Sequence, residues 1–316
     1  MHYLVTGGAG FIGSNIVEEL LNRGEKVRVL DSFITGRREN LEGFLDKIEL
    51  IEGDIRDERA ADKATKGVDF VLHQAALRSV PKSVDNPTLT NDINVSGTLA
   101  MLIAAKNNNV KRFVYASSSS AYGETDQFPE REDACPNPIS PYGVSKLTGE
   151  YYCRAFSATM GLETVSLRYF NVFGPRQDPE SKYSAVIPAF ISQMIKGFPP
   201  EVHGDGKQSR DFTYVSNVAE ANLLAATAPV DPGDVFNVAC NEEHRILDIV
   251  DALNAMLGSK IKPVFMPKRQ GDVPRTLADI SKLRKKLKYK IGMDFDKGLQ
   301  KTFEWFKANP SRLKAR

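Results

Sequence analysis

Tyr142 and Lys146 stand four residues apart in Ser140-Pro141-Tyr142-Gly143-Val144-Ser145-Lys146. On a helix these positions share one face, so an ammonium can sit beside the phenol and favour its ionised form. A free phenol, with a pKa of about 10, is a poor base at neutral pH. A neighbouring cation moves it towards the range where general-base catalysis is efficient. Upstream, Thr6-Gly7-Gly8-Ala9-Gly10-Phe11-Ile12-Gly13 has the glycine spacing of a dinucleotide-binding turn. Between the two motifs, Ser117-Ser118-Ser119-Ser120 brings hydroxyls that can relay or steady a proton. A base beside a dinucleotide is equipment for the reversible oxidation of an alcohol.

These residues need a scaffold that gathers strand ends at one edge. Short apolar runs predict strands over residues 3–6, 26–31, 48–52, 70–73, 112–116 and 164–170, with helical spacing over 11–23, 90–107 and 141–160. The alternation predicts an α/β fold, a doubly wound parallel Rossmann sheet with ligands beyond the carboxyl ends of its strands. After Phe173 the texture changes to a loop over 174–179 and a helix near 186–197. Strands over 210–214 and 235–238 are expected to return to the main sheet, followed by helices over 246–257, 279–287 and 296–307. The expected division is a dinucleotide-binding domain over 1–173, rejoined by about 210–240, and a smaller, mainly helical C-terminal substrate lobe over 174–209 and 241–316.

Within the glycine turn, Gly7 permits the tight bend, Gly10 the approach of a pyrophosphate, and Gly13 close helix packing. The helix that follows turns its unpaired N–H groups towards the phosphates. Asp31, eighteen residues after Gly13, is placed to accept from both adenosine ribose hydroxyls and to repel a 2′-phosphate, which favours NAD over NADP. Arg37 and Arg38 pull the other way. Asp54 and Ile55 follow the third strand, where adenine can rest, and Gln74-Ala75-Ala76 follow the fourth and are small enough to admit the cofactor.

The chain has 316 residues, 41% hydrophobic and 26% charged, and a net charge of +2, which gives no reason to expect nucleic acid or an anionic membrane as partner. Cys135, Cys153 and Cys240 have no metal-ligand spacing, so no metal is expected. Three cysteines in a chain of this size suit a reducing compartment. The early first strand leaves no room for a signal peptide and no apolar run is long enough to span a bilayer, so a cytoplasmic protein is expected.

With these motifs in view, the chain resembles the extended short-chain dehydrogenase/reductase family, and within it the nucleotide-sugar 4-epimerases acting on UDP-glucose or UDP-N-acetylglucosamine. The likeness runs through Gly7–Gly13, His73-Gln74-Ala75-Ala76, Ser117-Ser118-Ser119, Tyr142 with Lys146, Arg168-Tyr169-Phe170-Asn171-Val172, Gly204-Asp205-Gly206, Arg210-Asp211-Phe212 and Arg269-Gln270-Gly271-Asp272. It implies Tyr142 as base, Lys146 as its partner and Ser118 as catalytic serine, with Ser119 beside the substrate. It adds Phe11, Ile12, Ser32, Thr35, Gly36, Arg78, Ser117, Tyr142, Lys146 and Tyr169 to the NAD-binding set. It assigns the UDP-sugar to Asn171, Ala185, Val186, Arg210, Arg269, Asp272 and Thr276. Guanidinium forks suit a diphosphate.

Sister dehydratases place Asp-Glu beside the catalytic hydroxyl, and UDP-glucuronate decarboxylases a Glu, whereas this serine run has no carboxylate. That favours epimerisation. Thr276 falls where the family has either a bulky tyrosine or a small residue, which implies a pocket roomy enough for N-acetylhexosamines. A homodimer through helices 90–107 and 141–160 is also implied. The alternatives are a UDP-glucuronate 4-epimerase, another nucleotide-sugar dehydrogenase or dehydratase of the family, and a non-enzymatic NAD-binding sensor.

Overall fold

The computed structural model describes residues 1–179, 185–268 and 273–313. Tyr3 and Val5 of β1 (His2–Thr6) enter one apolar cluster while Leu4 enters another, the period-two alternation of a strand buried on both faces. The same holds for β2 (Lys26–Asp31), β4 (Phe70–His73) and β5 (Arg112–Ser118). With β3 (Ile48–Glu52), β6 (Glu163–Tyr169) and a seventh strand, Asp234–Val238, they form one parallel sheet. Its order is Asp234–Val238, β6, β5, β4, β1, β2, β3. The order reverses between β4 and β1, and the crevice at that point is where a doubly wound sheet receives ligands.

In chain order the first helices are α1 (Phe11–Asn22), α2 (Glu58–Thr65), α3 (Val80–Asp85), α4 (Pro87–Asn91), α5 (Gly97–Asn107) and α6 (Pro141–Thr159). Helix α1 and the helix Val215–Thr227 cover one face of the sheet; α2, α5 and α6 cover the other. The helix expected over 90–107 begins earlier, at Pro87, and one π turn, Asp92–Ser96, joins α4 to α5. Such turns widen a helix locally and turn a side chain out of register. Helix α6 has a firm start, with Pro141 in its first turn and the Ser140 hydroxyl accepting from the Gly143 N–H at 3.1 Å. Tyr142 is therefore set on a capped helix end.

One strand assignment is corrected. Residues 210–214 do not return to the main sheet: Ser209–Asp211 pairs antiparallel with Glu243–Arg245, and Thr213–Tyr214 pairs with Val172–Phe173. Their side chains are needed in a third apolar cluster, where Phe212 and Tyr214 meet Phe173 edge-on at 6.2 and 5.6 Å between ring centroids. Helices Val186–Ile195, Ile246–Leu257 and Phe295–Ala308 complete that cluster. Helix Ser281–Leu287 instead turns Leu283 and Leu287 back onto the main sheet's cluster.

Candidate active site

The glycine turn leaves β1 at Gly7, whose φ is +66° and whose N–H donates to the Leu30 carbonyl at 2.8 Å. A Cβ there would stand 2.8 Å from the Ala75 backbone, and one at Gly13 would stand 2.2 Å from the Gly7 carbonyl oxygen. The loop closes on itself and on the end of β4 only because side chains are absent. Helix α1 then begins at Phe11 with no side-chain cap at Gly10, so its first N–H groups are available to an anion. Phe11 is buried and Ile12 half-buried, so they offer backbone rather than side chain to that site.

At the end of β2 the Asp31 carboxylate accepts from the Ala9 and Phe33 N–H groups, each at 2.8 Å. Burial pushes its pKa up, and the two N–H bonds hold it back. Gly36 packs against this carboxylate, Ser32 is half-buried beside it and Thr35 is exposed. Arg37 and Arg38 are engaged elsewhere: Arg37 pairs with Asp178 at 2.9 Å, and Arg38 pairs with Glu52 and lies 4.2 Å over the Phe33 ring. A glycine cradle, an acid at the ribose position and arginines turned to other partners fit a dinucleotide with a free 2′-hydroxyl. Asp54 is forked by Arg56 at 3.0 and 2.6 Å, which holds its carboxyl below the usual range, and Ile55 is buried.

His73 is buried between the hydroxyls of Thr6 and Thr98, at 2.8 and 3.1 Å, and burial pushes its pKa down to about 3. It is a neutral structural knot under the cleft. Gln74 donates to Asn222 at 3.0 Å, Tyr169 donates to Gln74 at 3.1 Å, and Asn222 donates back to the Tyr169 oxygen at 2.8 Å. Asn222 completes this triangle from a helix that sequence patterning missed. Residues 175–178 form a strap across the two sides of the glycine turn. Asn15 of α1 donates to the Pro175 carbonyl at 3.1 Å, Arg176 pairs with Glu18 of α1 at 2.5 Å, and Asp178 meets Arg37.

The serine run ends β5. Ser118 is buried; its Oγ lies 3.2 Å from the Ser120 hydroxyl, and its hydroxyl pulls the Tyr142 phenol's pKa down. Ser119 is half-buried beside it, while Ser117 turns to the opposite side and donates to Glu150. Lys146 is 4% exposed, and its Nζ donates to the Ala116 carbonyl at 2.7 Å, 5.9 Å from the Tyr142 ring centroid. Burial pushes its pKa down to about 8, opposed by the neighbouring Cys153 and by the Glu150 carboxylate. For Tyr142 burial raises the pKa, opposed by the Ser118 hydroxyl and by the charge of Arg78. The expected depression by Lys146 is therefore not a property of the chain alone; burial outweighs it, and Arg78 is the cation whose pull the phenol feels.

Arg78 is exposed, on a segment bolted to the first turn of α6. The Asn94 amide, in the π turn, accepts from the Leu77 N–H at 2.8 Å and donates to the Leu77 carbonyl at 3.0 Å and the Ser145 hydroxyl at 3.0 Å. Ser145 donates to the Tyr142 carbonyl at 2.8 Å, and the Tyr142 N–H donates to Ser83 at 3.0 Å. Both backbone ends of Tyr142 are thus fixed by side chains that carry no motif of their own.

Beyond β6, Asn171 takes a φ of +34° and donates to the Thr276 hydroxyl at 2.9 Å and the Asp211 carbonyl at 3.3 Å. Thr276 is buried, its Oγ1 also taking the Asp211 N–H at 3.3 Å. Arg210, on the same short strand, is buried and donates to the Ser209 carbonyl at 2.7 Å. Asn171, Arg210 and Thr276 thus come together. Ala185 and Val186 cap and start the helix Val186–Ile195. Arg269 and Asp272 lie outside the described residues.

A family model, the NAD dependent epimerase/dehydratase family, matches residues 3–239. The UDP-glucose 4-epimerase of Mycolicibacterium smegmatis is 35% identical over 97% of this chain and 99% of its own. Two solved structures are also similar. The UDP-N-acetylglucosamine 4-epimerase of Methanobrevibacter ruminantium, in complex with UDP-N-acetylmuramic acid, is 41% identical over 98% of each chain with a TM-score of 0.93. The UDP-glucose 4-epimerase of Thermus thermophilus, in complex with NAD, is 37% identical over 97% of this chain and 99% of that one with a TM-score of 0.88.

Proposed function

Because the chain belongs to the NAD-dependent epimerase/dehydratase family, we propose that it epimerises UDP-hexoses at C4, both plain and N-acetylated, with NAD as cofactor. The observation that carries this reading is Tyr142 at the capped start of its helix with Lys146 one turn on and buried, and the Ser118 hydroxyl near enough to pull the phenol's pKa down, beside a serine run without a carboxylate. Tyr142, as phenolate, takes the proton of the sugar 4-hydroxyl, and Ser118 steadies that hydroxyl. NAD, when held in the glycine cradle, would supply the reversible hydride acceptor that oxidation and return reduction at C4 require. Lys146 and Arg78 supply the positive charge that the phenolate requires. Gly7, Gly10 and Gly13 hold the pyrophosphate, Asp31 the adenosine ribose, and the Gln74–Tyr169–Asn222 triangle the wall of the cleft.

Asn171 and Arg210, with the lobe's backbone at Ala185 and Val186 and its Arg269, hold the nucleotide end, so that the sugar can turn while its diphosphate stays fixed. Binding energy placed there does not impede the reacting ring. We divide the chain accordingly: residues 1–173, rejoined by about 210–240, serve NAD, and 174–209 with 241–316 serve the nucleotide sugar. A homodimer through α5 and α6 is supported by exposed Ile103, Val144 and Tyr151 on those helices. The three cysteines are free thiols, which suits the cytoplasm. No helix among the described residues is long and apolar enough to cross a membrane. Incubation with UDP-glucose, UDP-N-acetylglucosamine and UDP-glucuronate, followed by chromatographic resolution of C4 epimers, tests the proposal. The two hexose epimers are expected; no C4 epimer from any of the three overturns it.

A further inference from the structure

Glu150 stands one turn beyond Lys146 on α6, as Lys146 stands one turn beyond Tyr142. Its carboxylate is buried and heavily bonded. Arg168 of β6 donates from Nε at 2.9 Å and Nη2 at 2.7 Å, and Ser117 of β5 donates its hydroxyl. Ser117 and Arg168 are directly opposed across the two strands, so the sheet grips α6 at one point. The Arg168 guanidinium also lies 4.5 Å over the Tyr122 ring, while its Nη1 has no hydrogen-bond partner. Well-packed apolar side chains would tie helix to sheet at less desolvation cost than this pair. The charge itself therefore calls for a function.

The groups around Lys146 identify one. From β5 it meets the Ala116 carbonyl and the Tyr115 ring, whose centroid is 5.1 Å from Nζ. His73 faces it from β4, and Tyr142, Glu150 and Cys153 from its own helix. Burial pushes the Tyr115 phenol and the Cys153 thiol up, so both stay neutral, and His73 is neutral as well. Glu150 is the carboxylate among them. We propose that Glu150 is a positioning residue for the reaction: clamped by Arg168 and Ser117, it fixes the helix carrying Tyr142 and Lys146 and supplies the buried negative charge that keeps Lys146 an ammonium. The inference rests on the epimerase reading for its assay and on the geometry of α6 for its substance.

The test is the alkaline limb of the pH–turnover profile of the NAD-loaded enzyme, with thermal stability measured alongside. In Glu150→Gln the limb should move down by about one pH unit, the size expected when a nearby opposite charge is removed. In Arg168→Gln, which leaves the Glu150 charge unmasked, it should move up. In Glu150→Asp, which keeps the charge, it should stay while stability falls. A purely structural role predicts lost stability in all three with the limb unmoved, and that result in any variant that folds overturns the proposal. Wild type gives an independent readout, the NMR titration of the Lys146 ε-carbon: an ammonium at pH 7 is expected, and a neutral amine there overturns it. A wild type that forms no C4 epimer refutes the activity; a working wild type with unmoved limbs refutes only the role of Glu150.

Discussion

Gly13→Ala puts a number on the glycine cradle. The added methyl would stand 2.2 Å from the Gly7 carbonyl oxygen and 2.8 Å from the Gly7 carbonyl carbon and the Gly8 Cα. All three are backbone atoms, so relief requires the loop itself to move. Overpacking of this kind costs about 1–3 kcal/mol. At about 1.4 kcal/mol per decade, that is roughly 5- to 150-fold in an equilibrium constant. If the loop shifts away from its phosphate-binding shape, the cost falls on NAD affinity; if it holds, the cost falls on folding. The assay is calorimetric titration with NAD together with the denaturant midpoint, using Gly43→Ala, which has open space around it, as the control. Gly13→Ala with NAD affinity within about twofold of wild type and an unchanged midpoint would refute the reasoning.

Two further outcomes follow from the cleft. Arg78→Met removes a charge that pulls the Tyr142 phenol down, so the phenolate forms at higher pH and the acid limb of turnover should move up, by about one pH unit or less because Arg78 is exposed. An unmoved or lowered limb counts against the assignment. Arg176→Met combined with Asp178→Asn cuts the strap's two ion pairs, to Glu18 and Arg37. Partly exposed pairs contribute about 0.2–1 kcal/mol each, so NAD should leave the double variant roughly 2- to 30-fold faster, followed by loss of bound nucleotide on dilution; unchanged retention contradicts a sealing role.

Strands β1, β2, β4, β5 and β6 were legible because a strand buried on both faces reads as an apolar run between turns; the edge strand β3, with Glu49 and Glu52 exposed, was legible from Ile48, Leu50 and Ile51, and the ends of all six moved by two residues at most. The helix Val215–Thr227 was not legible: Val215, Val218, Ala221, Asn222 and Ala225 are all buried, and it has neither a polar face nor a side-chain cap to mark it. Residues 210–214 read as a strand, yet nothing local says which edge they join; that was decided by the aromatic contacts of Phe212 and Tyr214. In the site, the glycine turn and the Tyr142/Lys146 spacing are local patterns and could be seen. The Gln74–Asn222 and Arg168–Glu150 bonds join segments 148 and 18 residues apart, and Asn94 acts through a π turn. Only the folded chain brings these together, although the spacing of Glu150 from Lys146 was a signal within reach.

The most direct measurement is turnover of UDP-glucose to its C4 epimer by Tyr142→Phe, with bound NAD quantified in the same preparation. Loss of the phenolic oxygen should lower turnover by about 10²- to 10⁴-fold while nucleotide content stays at the wild-type level. A Tyr142→Phe protein that turns over at the wild-type rate would contradict the account.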